Sequence, residues 1–400
     1  MKKIIIFISV ITLFFFIVIE LVFRIFVNYT TISTEYYPPH LFIYDDTLGY
    51  QLNANFSAIH KKSEFEYKLF TNQLNMFDQY VSIDSLATNS LIFTIGDSYL
   101  FGYVDYQSRF GTLLEKLSGI RVLKGGVPGW APYQYCRFVK RILDKIRPTR
   151  LSAIVVGFSV VNDPIDDFYS TRFSPMTVIN GNLVNTLNKD NLGNVRILTL
   201  EELNKKNIEY EKMSFRRFLL KLRSKSALIS FLDIKLKQIL PQSLLSKTGI
   251  LYSSQPDKQQ CVYDTTNIIM KQGLEESIRH LAELNRITRE FNAQLIIMMI
   301  PPREEIDDIL FKQYLKHHQI DSLSIDKNYI YNTIEEFCSF NSINFIDLRD
   351  TLKLYPITTT YYTYDMHLNA FGQKLCAEMI YNHCFKTIEP AEDTSNQKGL

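Results

Sequence analysis

The chain has 400 residues, 46% of them hydrophobic and 22% charged. That composition excludes a disordered or fibrous protein and leaves length for roughly two to three domains. A formal net charge of +2 gives no global pull toward nucleic acid, and the 24 Tyr and 28 Phe more often fill core than line a sugar-binding cleft.

The five cysteines, Cys136, Cys261, Cys338, Cys376 and Cys384, form no CxxC and no metal-ligand spacing. An odd number cannot pair completely within one chain. Cys376 and Cys384 fall on one amphipathic helix, roughly 12 Å apart by helical rise, too far for a disulfide. Most of the five read as small buried apolar residues, and whether one pair is bridged stays open.

Residues 1–27, "MKKIIIFISVITLFFFIVIELVFRIFV", carry two lysines ahead of an apolar run from Ile4 to Ile19. Continued through Glu20 and Arg24, the run reaches the length of about 20 residues that a bilayer span needs. No small-residue cleavage site follows, so a transmembrane anchor is expected rather than a cleaved signal. Lys2 and Lys3 place the N-terminus in the cytoplasm. The expected localisation is the cytoplasmic membrane, single-pass, with the rest of the chain on the extracytoplasmic (periplasmic) side. Glu20 and Arg24 stand at i and i+4 and can pair; alternatively the span ends near Ile19 and both charges reach interfacial water.

Residues 28–88 read as an extracytoplasmic lead-in, with Pro38-Pro39, an Asp45-Asp46 turn and Leu48-Gly49 between short β-prone pieces. Alternation from Glu64 to Phe70 predicts a strand or hairpin, and 81–90 reads as a polar linker.

A strand–helix alternation follows, over 89–388. Strands are expected at 91–95, 120–124 and 152–157, with helices near 109–118 and 132–146. Ser108 is placed to cap the first of these helices and Gly119 to stop it. Later come an amphipathic helix over 276–291, a buried strand at 293–300, a helix near 328–340, a strand at 343–348 and a last helix from Ala370. This spacing predicts an α/β fold around a doubly wound parallel sheet.

Residues 166–267 interrupt the alternation and read as a helical insertion. From Asn204 to Lys247 there are eleven Lys or Arg against three Asp or Glu. That basic stretch suits either a solvated helix face or an anionic membrane surface. The tail 389–400 is polar and expected to be disordered.

The chemistry gathers at strand ends. Gly96-Asp97-Ser98 ends the first core strand, where a parallel sheet displays its ligand-binding residues. Asp365 and His367 lie two apart before the last helix, so both can face one cleft. Ser98 supplies a nucleophile, His367 a general base and Asp365 its orienter. A backbone N–H from Gly125 or Gly126 and the Asn162 amide, after the second and third strands, can meet a developing oxyanion.

As an ordered set these motifs resemble the SGNH (GDSL-type) hydrolase family, in a membrane-anchored, polysaccharide-modifying-like branch. Gly96-Asp97-Ser98 matches the first block, Gly126 the second, Asn162 the third, and "DMHLNAFG" from Asp365 the D-x-H-x-N-x-x-G form of the last. The resemblance covers about 89–165 and 268–388, and more weakly the lead-in over 45–80. It departs at Val161, where the family usually has a small residue. It departs again at Lys124, where many members have asparagine; a lysine there would contact an anionic substrate or line the rim.

The resemblance implies a three-layer α/β/α, flavodoxin-like fold and ester hydrolysis or acyl transfer through an acyl-serine. Ser98, His367 and Asp365 would be catalytic. Ser98, Gly126 and Asn162 would form the oxyanion hole. It implies neither metal nor organic cofactor. The expected partners are an acyl-ester substrate, with a cell-envelope glycan or lipid as its carrier, and the membrane through the N-terminal helix. An O-acyltransferase of an extracellular polysaccharide, served by an acyl-donor protein, is the alternative, and a non-enzymatic envelope scaffold a further one.

Overall fold

The computed structural model describes residues 2–25, 37–62, 64–189, 195–211, 222, 225–229, 231–232, 261–318, 320, 322–363 and 365–386. The tail 389–400, residues 28–36 of the lead-in and most of the basic run 204–247 lie outside them. The strands are β1 (Phe42–Asp45), β2 (Gly49–Leu52), β3 (Ser57–Lys61), β4 (Glu66–Phe70), β5 (Ser90–Gly96), β6 (Arg121–Lys124), β7 (Arg150–Ser159), β8 (Met176–Ile179), β9 (Asn182–Asn185), β10 (Leu187–Lys189), β11 (Val195–Ile197), β12 (Gln294–Ile300) and β13 (Asn344–Asp347).

Five of them form one parallel sheet in the order β13-β12-β7-β5-β6. Counted in chain order within the sheet, that is 2-1-3-4-5, the flavodoxin arrangement. Side-chain alternation along each strand builds two cores. Leu91, Phe93 and Ile95 of β5, Ile154 and Val156 of β7, and Ile297 and Met299 of β12 face one side. Ile92, Val155, Ile296 and Met298 face the other. Both faces are covered, as a parallel sheet requires. Pro132–Ile146 and Ile268–Glu290 bury apolar residues in the first core, and Phe110–Ser118 and Ala370–Ile380 do so in the second.

The helix ends follow local chemistry. Pro132 opens its helix in the first turn, where a missing N–H costs nothing. Gly119 ends Phe110–Ser118 in the left-handed region at φ 67°. Ser108 is not the cap of that helix; it sits in a 3₁₀ turn, Tyr106–Ser108, and Arg109 takes the cap position. The linker expected over 81–90 holds a short helix, Ile83–Thr88, because the Ser82 hydroxyl accepts from the Ser85 N–H and caps it.

The lead-in packs against the same core as the sheet. Leu41, Phe42, Tyr50, Leu52, Tyr67, Leu69 and Phe77 are buried there. Two hairpins, β1–β2 and β3–β4, carry Phe42, Tyr50, Leu52, Tyr67 and Leu69 inward. The Tyr50 hydroxyl donates to the Pro128 carbonyl at 2.7 Å, and the Trp130 indole donates to the Tyr50 carbonyl at 3.1 Å. The lead-in is thereby tied to the loop after β6.

After β7 the helix Asp163–Arg172 packs on Ile268–Glu290, where Gly273 lets the Pro164 carbonyl approach. The described part of the insertion then runs through two hairpins, β8–β9 and β10–β11, into a helix, Leu200–Glu211.

The N-terminal helix Lys2–Ile25 is long and apolar enough to cross a bilayer, and its apolar side chains are exposed. Arg24 donates to Glu20 at 2.7 Å, so the pair that i,i+4 spacing permits is formed. All five cysteines are free thiols.

Candidate active site

Three chain segments meet at the C-terminal end of β5. Ser98 begins a short helical turn, Ser98–Phe101, directly after that strand. Its Oγ lies 2.8 Å from His367 Nε2, and His367 Nδ1 lies 2.6 Å from Asp365 Oδ1. A carboxylate only accepts, so Nδ1 carries the proton and donates to Asp365. Nε2 is then the acceptor for the Ser98 hydroxyl. Ser98 is largely buried, at 7% exposed. The rings of Tyr99 and Tyr103 lie 4.9 and 4.6 Å from the imidazole and flank it.

Asp97, between the glycine and the serine, holds the constellation together. Its Oδ1 accepts from the Tyr99 N–H at 2.8 Å, which caps the turn, and its Oδ2 accepts from Asn162 Nδ2 at 2.8 Å. Burial raises the Asp97 carboxyl above the usual carboxylate range, and these hydrogen bonds oppose the rise. The contact orients the Asn162 amide and leaves it a second N–H. Val161 is no obstacle, since it packs against the core.

Gly126 lies against the turn that carries Ser98. A Cβ there would sit 2.4 Å from the Phe101 nitrogen and 2.6 Å from the Leu100 carbonyl carbon. Both are backbone atoms that cannot swing aside, so the close approach needs glycine. The Gly125 and Val127 amides donate to the Thr94 and Gly96 carbonyls at 2.8 and 3.0 Å. Among the described residues the Ser98 and Gly126 N–H groups have no acceptor, so both remain available to a ligand.

The Asp365–His367 loop is a strained excursion between Tyr361 and Leu368, which form a β-bridge. Met366 stands in the left-handed region at φ 72°, a conformation costing an L-residue roughly 1–2 kcal/mol. The strain is held by contacts from three directions. The Glu64 carboxylate accepts from the Thr363 N–H at 2.7 Å and from the Asp365 N–H at 2.8 Å. Arg303 donates to the Thr363 carbonyl, and Tyr362 N–H donates to the His367 carbonyl at 2.8 Å. Tyr362 Oη donates to the Tyr103 carbonyl at 3.0 Å.

The remainder of the D-x-H-x-N-x-x-G pattern has a structural cause. Asn369 Oδ1 accepts from the Phe371 and Gly372 N–H groups and caps the last helix. A Cβ on Gly372 would meet the Thr360 carbonyl oxygen at 2.3 Å. Gln373 then accepts from the Phe110 N–H at 2.9 Å and donates to the Tyr99 carbonyl at 2.8 Å, pinning that helix to the Ser98 turn.

One expectation is corrected. Lys124 neither contacts substrate space nor lines a rim. It is 2% exposed, and its ammonium donates to Asp78 at 3.2 Å and Glu115 at 2.8 Å beside Arg121. Sequence reasoning did not find Glu64. It lies on the predicted hairpin, with no local signal of a partner far along the chain. Asp97 stood inside the recognised motif without a role.

No protein-family model matches the chain, and no curated protein matches it. Solved structures similar to it include a GDSL-like lipase from Bacteroides thetaiotaomicron, 9% identical, covering 73% of this chain and 86% of its own, at a TM-score of 0.34. A lipolytic G-D-S-L family member from Veillonella parvula is 10% identical, covering 74% of this chain and 100% of its own, at 0.35. An α/β-hydrolase enzyme from the metagenome of Lake Arreo in Spain is 11% identical, covering 76% and 100%, at 0.36. Likeness at this level leaves the functional reading to the residues themselves.

Proposed function

We propose that the chain is an SGNH-type serine ester hydrolase, held to a membrane by its N-terminal helix and acting outside the cytoplasm on acyl groups of an envelope glycan or lipid. The observation that carries the hydrolase reading is the hydrogen-bonded series Ser98 Oγ, His367 Nε2, His367 Nδ1, Asp365 Oδ1, at 2.8 and 2.6 Å. The anchor reading is supported by the length and exposure of the apolar helix.

In this reading the Ser98 oxygen attacks the acyl carbonyl as its proton passes to His367 Nε2. Asp365 holds the imidazole in the productive tautomer and stabilises the imidazolium. The Ser98 and Gly126 N–H groups and the free N–H of Asn162 receive the charge that develops on the carbonyl oxygen. Collapse of the tetrahedral intermediate breaks the C–O bond to the alcohol, which leaves with the proton from His367. Water, deprotonated by His367, then attacks the acyl-serine, and the carboxylic acid departs as Ser98 recovers its proton.

The test is labelling with a fluorophosphonate, which forms a covalent bond to an activated serine. The full-length protein in detergent should be labelled and its Ser98→Ala variant should not. Equal labelling of both, or of neither, refutes the nucleophile assignment.

A further inference from the structure

A carboxylate stands near the end of the apolar N-terminal helix, where a bare charge would be costly. Glu20 lies about a turn and a half before Ile25. Besides Arg24, it accepts from the Ser226 hydroxyl at 2.7 Å and from the Ala227 and Leu228 N–H groups at 2.9 and 3.0 Å. These donors belong to the insertion, 206 to 208 residues further along the chain. Residues 227–229 are helical, so the carboxylate meets N–H groups that a helix start leaves free. Ser226 Oγ accepts from the Ile229 N–H at 3.1 Å. Arg24 donates to the Lys225 carbonyl, and the rings of Phe23 and Phe231 lie 4.9 Å apart. Ser226 and Ala227 are buried in this contact.

We propose that the insertion around Ser226 is a second membrane contact, latched to the end of the anchor by Glu20 and resting on an anionic phospholipid surface. This rests on the reading of Lys2–Ile25 as a bilayer span.

Three observations choose that partner. The first is depth. Glu20 and Arg24 mark the end of the span opposite Lys2 and Lys3, so whatever is tied to them sits where hydrocarbon gives way to headgroups. The second is the polarity of the segment. Leu222 and Leu232 are exposed large apolar residues beside a helix that is itself exposed and apolar. Lipid is the medium around such a helix, and the Ala227 and Leu228 N–H groups, already satisfied by Glu20, can enter it without loss. The third is charge. Between Arg216 and Lys237 the sequence holds seven Lys or Arg and a single acidic residue, Asp233. Apolar residues interleaved with that excess of cations suit an anionic interface better than a neutral one.

The experiment places a reporter on the segment, Phe231→Trp, in the full-length protein. The protein is reconstituted in vesicles of phosphatidylcholine alone or of equimolar phosphatidylcholine and phosphatidylglycerol, with bromine on the lipid acyl chains to quench nearby indoles. Trp130, fully buried in the core, supplies the same background throughout. A separate variant, Phe14→Trp, reports on the middle of the anchor. The Phe231→Trp reporter should be quenched by bromine close to the headgroups, and more strongly with phosphatidylglycerol. Adding Glu20→Ala should abolish the quenching. Adding Lys221→Gln, Arg223→Gln and Lys225→Gln together should remove only the part that depends on phosphatidylglycerol, as high salt should. This triple variant leaves Glu20 in place, so a folding defect in Glu20→Ala, read from its melting curve, leaves the other to decide. No quenching at the Phe231→Trp reporter while Phe14→Trp is quenched overturns the second contact and sustains the anchor. Quenching that ignores both Glu20→Ala and lipid charge also overturns it. Quenching at neither reporter refutes the anchor reading and the proposal with it.

Discussion

Replacing Glu64 by glutamine tests whether the lead-in holds the catalytic loop in its working conformation. The carboxylate accepts from two backbone N–H groups, those of Thr363 and Asp365, at 2.7 and 2.8 Å. Hydrogen bonds to a charged group contribute about 1.5–3 kcal/mol each when buried. Glu64 is partly exposed, so solvent screening brings the pair to roughly 2 kcal/mol in total. Glutamine can accept only through its amide oxygen, and its NH₂ would face the second donor. The loop also stores the strain of Met366 at φ 72°, so a weakened clamp favours relaxation of the backbone between Asp365 and His367. A change of about 2 kcal/mol shifts a two-state balance by roughly thirtyfold. The fluorophosphonate labelling rate and kcat on an aryl acetate should both fall by about 10- to 30-fold, with a far smaller effect on KM. Hydrogen exchange should quicken at the Asp365 amide while the β5 and β7 amides stay protected. Wild-type labelling rate together with unprotected exchange at Asp365 would refute the link between the clamp and catalysis.

Three more outcomes are expected. Asp365→Asn should retain more turnover than His367→Ala, since the imidazole moves the proton and the carboxylate orients it; the reverse order at equal stability would overturn the roles. Lys124→Met should lower stability by about 2–3 kcal/mol in denaturant unfolding, because Asp78 is fully buried and loses one of its cationic partners, yet the folded fraction should still label with fluorophosphonate. The full-length protein should stay in the membrane fraction through a high-salt wash, which screens surface charge but not apolar insertion, and release by salt would refute anchoring by Lys2–Ile25.

Much of the fold and part of the site follow from local chemistry. Near-continuous apolar runs in 91–95, 152–157 and 293–300 define strands covered on both faces, because successive side chains of an extended chain point to opposite faces and both sets are apolar. Ser98 follows such a strand directly, and Asp365 and His367 are two residues apart, so their chemistry is readable without knowledge of the rest of the chain. The partners of a charged side chain are not readable in that way. Lys124 has the same local setting whether it lines a cleft or neutralises Asp78, and only packing of the lead-in brings Asp78 to it. Glu64 reaches the Asp365 N–H across 301 residues of sequence, and Asp97 finds the Asn162 amide only because β5 and β7 are neighbours in the sheet. Backbone periodicity is a property of adjacent residues. Which carboxylate meets which donor is decided by the order of strands and the docking of the hairpins, and those arise from burial of apolar surface summed over the whole molecule.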